Sequence, residues 1–475
     1  MKNNIEDIKN KIQQVFGKYT FIEDGHYYLC NGKRVGISTT GLISQYEQEF
    51  DSDSVSQMVA NKRGISQQEV LEEWRIENLH STIKGSMVHE FAQSLWEGKE
   101  YKFDYSNIPK EIDLDRLKSD IEKLIPQAIN FYNDYKDMYE LIGCEIYLGD
   151  EDYDECGATD QMMLNKYTGD IAIIDYKTNK KIEYESYRHK KMLIPLHKFD
   201  DCNYIHYSIQ LSDYKYKFEK NTNLKVEETF IVYFNVNANN YEIIEPLNME
   251  KEVNKILNIR REKNMNSVPV LLIGQSGSGK STSLRNFKGD EVAVVNVLGK
   301  PLPFKSDIKA GKCDDYATIL KAIANTPKKT IVIDDANYLI TNEFMNKSSV
   351  KGFDKYNEMG NNFFNLINGI KNIKGGKTVY LIMHEDTDEN GYVKPKTIGK
   401  LLDDKVNIQG MFTICIRSMF DNGNYIFRLK TNGQDCVKTP FGMFENDTMD
   451  NDLKAFDEVV REYYELDKIE SEEEK

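Results

Sequence analysis

The chain has 475 residues, 29% of them charged and 40% hydrophobic, and a formal net charge of −15, which suits two domains or more rather than one core. The acidic balance excludes a protein that coats nucleic acid with its whole surface, so any DNA contact would run through a local groove or a divalent metal. No apolar run spans a bilayer, the N-terminus lacks the apolar stretch of a signal peptide, and seven scattered cysteines form no C-x-x-C pair, so a cytoplasmic protein with reduced thiols is expected.

Residues 1–248 read as one α/β domain. A β-hairpin is predicted from residues 19–29 and 33–38 around an Asn31-Gly32 turn. Helical periodicity covers residues 66–98 and 113–136, with a kink or break predicted at Pro126. Strand-like runs follow at 139–148, 157–164 and 170–176, then a helix at 204–219 and strands at 228–235 and 241–244. Residues 249–268 read as a charged connecting helix and linker. From 269 to 447 short apolar runs at 270–273, 292–296, 330–333, 379–383 and 412–416 alternate with helical pattern, which predicts a mostly parallel sheet. Residues 448–475 form an acidic C-terminal helix or tail.

In the second domain, Gly274-Gln275-Ser276-Gly277-Ser278-Gly279-Lys280-Ser281-Thr282 follows an apolar strand and precedes a helical stretch at 282–287. The glycines let backbone N–H groups turn inward around phosphates, and a helix N-terminus adds its positive end. Lys280 is placed to reach the β- and γ-phosphates of ATP, and the Ser281 hydroxyl to complete Mg²⁺ coordination. The strand at 330–333 ends in Asp334 and Asp335. Asp334 would hold Mg²⁺ through water; Asp335 is a candidate to polarise the attacking water, or a plain surface acid. His384, at the end of the 379–383 strand, is a candidate γ-phosphate sensor or a structural histidine.

The runs VNVLGKPLPF (295–304), IDDANYL (333–339), KPKTIGKLLDDKV (394–406) and GMF (410–412), with His384, resemble RecA-like phage ATPases of the single-strand-annealing and recombination type. The resemblance covers most of residues 268–447. It implies a RecA-like fold and a homo-oligomer with ATP between subunits, whose site is completed by a neighbour's basic residues. Lys394 and Lys396 match such a finger pair, with Lys400 as a further candidate, and a flexible basic loop is the other reading. Gln409 departs from the acid expected before Gly-Met-Phe.

In the first domain, Asp175-Tyr176-Lys177 ends a strand, so the carboxylate and the ammonium share a face. Asp160 lies on the preceding strand, and antiparallel pairing would bring it near Asp175. Two carboxylates beside a lysine suit a Mg²⁺ site with a cation to position or activate water. Gly85-x-x-x-His89 lies in an upstream helix, and Gln210-x-x-x-Tyr214 puts two polar groups on one helix face.

This set resembles the PD-(D/E)xK nuclease superfamily, in its RecB-like and phage exonuclease branch, over roughly residues 20–247. The resemblance implies an αβββαβ restriction-endonuclease-like core. His89, Asp160, Asp175 and the carbonyl of Tyr176 would ligate Mg²⁺ or Mn²⁺, Lys177 would activate water, and Gln210 and Tyr214 would shape the site. Glu90, beside His89, is an alternative ligand, since some relatives use a glutamate there. The segment 184–207 mixes basic and aromatic residues and is either a DNA-contacting loop or an ordinary surface loop.

The combined expectation is a Mg²⁺-dependent DNA nuclease of exonuclease type fused to a DNA-linked ATPase, acting in phage DNA recombination, repair or replication in the host bacterial cytoplasm. Expected partners are linear duplex ends or single strands of DNA, further copies of the chain, and single-strand-binding or replication proteins, with no membrane. The alternatives are an ATP-dependent single-strand-binding or annealing protein with a vestigial nuclease, and a packaging or helicase–nuclease component.

Overall fold

The computed structural model describes residues 4–350, 352, 354–398 and 407–467. The chain folds as two compact units, Met1–Leu257 and Asn258–Lys475.

The first unit opens with helix α1 (Ile5–Phe16) and a small antiparallel meander, β1 (Tyr19–Ile22), β2 (Tyr27–Cys30) and β3 (Lys33–Arg34). Asn31 and Gly32, both at positive φ, make the predicted tight turn between β2 and β3. The single strand expected over 19–29 is instead divided by a turn at residues 23–26, where Gly25 and His26 also take positive φ. Strand β4 (Ile37–Ser38) and helices α2 (Thr39–Ser44) and α3 (Ser52–Arg63) come next.

Helix α4 (Gln67–Glu97) starts at a capping box, in which Ser66 and Glu69 satisfy each other's backbone N–H, and ends at a left-handed Gly98. Helix α5 (Leu114–Tyr135) runs through Pro126 without a break. The expected interruption is absent because Leu117, Ile121, Leu124, Ala128 and Phe131 form one buried stripe that spans the proline.

Strands β5 (Tyr139–Asp150), β6 (Glu155–Asn165) and β7 (Ile171–Lys177), helix α6 (Asn203–Thr222), and strands β8 (Val226–Tyr233) and β9 (Glu242–Ile244) complete the unit. In its sheet β6 pairs antiparallel with β5 and β7, β7 parallel with β8, and β4 parallel with the start of β6. Alternation along β7 divides the core. Ile171 and Ile173 pack with α1 and α6 residues, while Ala172, Ile174 and Tyr176 pack with α4 and α5. Helix α7 (Glu250–Asn264) carries the chain into the second unit.

The second unit contains β10 (Val268–Gly274), β11 (Val292–Asn296), β12 (Ala310–Lys312), α8 (Tyr316–Asn325), β13 (Thr330–Asp334), α9 (Asn337–Asn346), α10 (Asp354–Asn372), β14 (Thr378–Thr387), β15 (Val393–Pro395), β16 (Ile414–Asp421), β17 (Asn424–Arg428), β18 (Thr448–Asp450) and α11 (Leu453–Tyr463). Among the described residues its strands form one sheet in the order β12-β11-β13-β14-β10-β16-β17-β18, with β15 on β14. The strands from β12 to β16 along this order are parallel; β17, β18 and β15 are antiparallel additions. One face is covered by α8, α9 and α10, the other by α11 and the turn after the glycine-rich loop. This is a mixed α/β unit built on a parallel-rich sheet. The helix expected at 282–287 is instead a short 3-10 turn, Ser281–Asn286. Little macrodipole therefore reaches the loop, and anion binding there falls to the loop's own N–H groups and Lys280.

Candidate active sites

In the first unit, antiparallel register sets Gln161 opposite Ile174, which puts Asp160 opposite Asp175. The Tyr176 N–H donates to Asp160 Oδ2 at 2.6 Å, and His89 Nδ1 stands 3.5 Å from the same oxygen. Lys177 Nζ lies 2.5 Å from Asp175 Oδ2 and 4.4 Å from the Tyr207 ring centroid. The structure thus brings together His89, Asp160, Asp175, Tyr176 and Lys177. On α6, Gln210 Nε2 donates to the Tyr214 hydroxyl at 2.9 Å. Gly157 makes room for that ring and for the Thr39 side chain, since a Cβ there would come within 2.6 Å of the ring and closer still to the Thr39 hydroxyl. Glu90 accepts a hydrogen bond from Tyr101 at 2.8 Å.

The electrostatics fit carboxylates short of counter-charge. Burial lifts Asp175 to about 6 against the pull of Lys177, and lifts Asp160 as well. Burial, then Lys177, lowers His89 to about 4, so its imidazole is neutral near pH 7 and able to ligate metal. Lys177 is the converse case: burial opposes its charge, but Asp175 and Asp160 overcome that and hold it as an ammonium. It can orient water or neutralise a phosphate in this state, but it cannot accept a proton.

Sequence reasoning missed Glu145. The pairings of Cys144 with Gln161 and of Ile146 with Thr159 set Glu145 across from Asp160. Gln93 donates to its carboxylate at 2.9 Å and to the Asp160 carbonyl at 3.3 Å. Partial desolvation raises the Glu145 carboxyl, and Asp160 and Asp175 raise it further. The one hint in the sequence is a lone acid inside the strand run GCEIYL.

Buried Asp175 Oδ2 has no hydrogen-bond donor of good geometry, and neutral imidazole with carboxylates suits a divalent cation. Among the described residues, however, no three His, Cys, Asp or Glu side chains converge as a metal-binding group. The donor types suit such a cation, and Lys177 Nζ stands 2.5 Å from Asp175 Oδ2.

In the second unit, register places Gly274 between His384 on β14 and Ser418 on β16, and Asn296 beside Asp334. Lys280 Nζ folds back onto the Gly274 and Gln275 carbonyls at 2.8 and 2.7 Å, and burial lowers its pKa. Ser281 Oγ is 3.0 Å from both oxygens of Asp334, whose carboxyl is raised by burial and by Asp335. Asp335 takes φ +60. Its carboxylate is 3.0 Å from Lys300 Nζ and 3.6 Å from His384 Nε2. Burial opposes its ionisation, but His384 and Lys300 outweigh that and keep it ionised. Ser276, Gly277, Gly279, Lys280, Ser281, Thr282, Asp334, Asp335 and His384 line one cavity of about 340 Å³, together with Asn296, Lys300 and Tyr425, which sequence reasoning did not single out. Ser278 is buried behind this loop, and its carbonyl oxygen accepts from the Ser418 hydroxyl at 2.6 Å.

Residues 266–436 match the family model described as an AAA domain. The second unit therefore carries an AAA-type P-loop ATPase domain, which uses nucleotide with Mg²⁺. No curated protein matches the chain.

Lys394 lies on β15 opposite Asp386, and the exposed Lys396 donates its backbone N–H to the His384 carbonyl at 2.7 Å. Lys400 falls outside the described residues. Gln409 sits in a 3-10 turn, Ile408–Met411. In the segment 184–207, Tyr187 is 76% and Ile194 79% exposed. Among the described residues no helix is long and apolar enough to cross a membrane.

Proposed function

We propose that the first unit is a metal-dependent DNA nuclease and that the ATPase domain serves its action on DNA, in recombination, repair or replication of a phage genome. The observation that carries the proposal is the facing pair Asp160 and Asp175 with the Lys177 ammonium and neutral His89 beside them. His89, Asp160, Asp175 and the Tyr176 carbonyl would hold Mg²⁺ or Mn²⁺, which when bound supplies Lewis-acid stabilisation of the phosphodiester transition state. Lys177 binds and orients water against the phosphorus and neutralises developing charge there. Gln210 and Tyr214 form the wall along the DNA backbone. Lys394 and Lys396 act across a subunit boundary in a homo-oligomer, and single-strand-binding or replication proteins are its proposed partners.

One alternative is an ATP-dependent single-strand-binding or annealing protein with a vestigial nuclease, in keeping with the Lys177 ammonium that stands 2.5 Å from Asp175 Oδ2. Calorimetric titration with Mn²⁺, paired with cleavage of labelled linear and circular DNA in Mg²⁺, separates the two. The nuclease reading expects metal binding that Asp160→Asn removes, and degradation of DNA. No Mn²⁺ binding and intact DNA, with ATP turnover stimulated by single strands, would establish the alternative.

A further inference from the structure

Beyond its end at Asn296, β11 leads into a loop that lines the nucleotide cavity with Lys300, Pro301 and Pro303. A single buried side chain fixes this loop. Asn296, 2% exposed, accepts through Oδ1 from the N–H groups of Gly299 (2.7 Å) and Lys300 (3.2 Å) and donates through Nδ2 to the Lys300 carbonyl at 2.9 Å. Both backbone polar groups of Lys300 are thus clamped. Gly299 takes φ +69, which the tight turn requires.

The clamped residue points a cation into the cavity. The Lys300 side chain is 57% exposed, and its Nζ reaches Asp335 Oδ2 at 3.0 Å and stands 5.4 Å from the Tyr338 ring centroid. An ion pair with one partner so exposed adds little to stability, too little to account for two Asn296 side-chain hydrogen bonds to Lys300 and a third to Gly299 beside it. Asp335, in turn, holds a left-handed backbone, a conformation that is costly for a non-glycine residue and that clusters at active sites. A Mg²⁺-bound triphosphate entering the same cavity brings a stronger counter-charge than one carboxylate.

We propose that Lys300 is a catalytic cation supplied in cis, which leaves Asp335 for the equatorial oxygens of the γ-phosphoryl group as ATP is hydrolysed. The proposal rests on the ATPase reading and is separate from any lysine supplied by a neighbour. In the step, the water oxygen bonds to the γ-phosphorus, and the bond from that phosphorus to the β–γ bridging oxygen breaks with its electron pair leaving on ADP. The water proton passes to the Asp335 carboxylate that Lys300 has released. Lys300 stays protonated throughout and donates hydrogen bonds only.

The test uses the full chain and three variants, Lys300→Met, Lys300→Arg and Lys396→Ala. It reads ATP turnover, ADP affinity, and affinity for ADP with aluminium fluoride, a mimic of the phosphoryl group in transfer. Lys300→Met should lower kcat by about 100-fold or more, the scale for loss of one preorganised charge-stabilising donor. It should weaken the aluminium fluoride complex in parallel and leave ADP affinity within about twofold. Lys300→Arg should restore most of the turnover. Wild-type turnover in Lys300→Met overturns the proposal, as does a loss of ADP affinity that matches the loss of turnover. Turnover lost in Lys396→Ala but kept in Lys300→Met assigns the cation to the neighbour alone. A wild-type protein that neither hydrolyses ATP nor forms the aluminium fluoride complex removes the ATPase reading itself, and Lys300's role with it.

Discussion

Lys217→Met is the sharpest test of how the first unit holds its Gln210–Tyr214 wall. Lys217 is fully buried on α6, one turn beyond Tyr214. Its Nζ meets Glu155 Oε2 at 2.5 Å, Asp213 Oδ2 at 2.7 Å and Thr39 Oγ1 at 3.0 Å. Glu155 is 0% and Asp213 2% exposed. Removing the cation leaves two buried carboxylates facing each other, and breaking a buried pair costs about 3–5 kcal/mol. With a urea m-value near 3 kcal/mol/M, a loss of about 4 kcal/mol moves the unfolding midpoint down by roughly 1.3 M.

The assay is favourable, because Trp74 and Trp96 are the chain's two tryptophans and both lie in the first unit. Tryptophan fluorescence therefore follows that unit alone. The effect also depends on pH. Burial and Asp213 lift Glu155 from 4.5 to about 7, against the pull of Lys217. The folded state thus keeps a proton that the unfolded state releases, and wild-type stability falls as pH rises from about 4.5 to about 7. Without Lys217 the carboxyl rises further, so the defect should be larger at pH 8 than at pH 5, where protonation relieves it. A midpoint at pH 8 within about 0.2 M of wild type, or a defect equal at both pH values, refutes the reasoning.

Gly157→Ala should push Thr39 and Tyr214 aside, since the new Cβ would sit 2.6 Å from the Tyr214 ring and closer still to the Thr39 hydroxyl; the same fluorescence melt should show a loss of about 1–3 kcal/mol, and DNA cleavage should fall with it. Lys280→Met should abolish binding of a fluorescent ATP analogue while leaving the tryptophan-detected transition unchanged, and retained binding would contradict the phosphate role of Lys280. Lys396→Ala should stop ATP turnover but keep ATP binding, and wild-type turnover in that variant would remove the neighbour-supplied finger.

Local chemistry made some of this visible in advance, and long-range pairing hid the rest. The parallel strands of the second unit announce themselves as short β-branched runs, and the glycine-rich loop carries its own geometry. The Asn31-Gly32 turn was legible because its φ angles demand those residues. Pro126 misled because local propensity counted for more than the buried stripe that carries α5 past it. The 3-10 turn after Lys280 was hidden because Ser281–Asn286 could also be helical in isolation. Glu145 and Lys300 escaped for a common reason. Glu145 matters only through register with Asp160, and Lys300 meets Asp335 across 35 residues of sequence. Neither relation leaves a spacing to read.

Cleavage of end-labelled linear DNA by the wild-type chain and by Asp175→Asn in Mg²⁺, with ATP turnover measured in the same preparations, tests the role of the first unit most directly. Wild type should degrade the DNA, EDTA should stop it, and Asp175→Asn should lose cleavage while turning over ATP at the wild-type rate. Cleavage that survives in Asp175→Asn, or a wild-type chain that leaves the DNA intact in Mg²⁺, would contradict the assignment of the first unit.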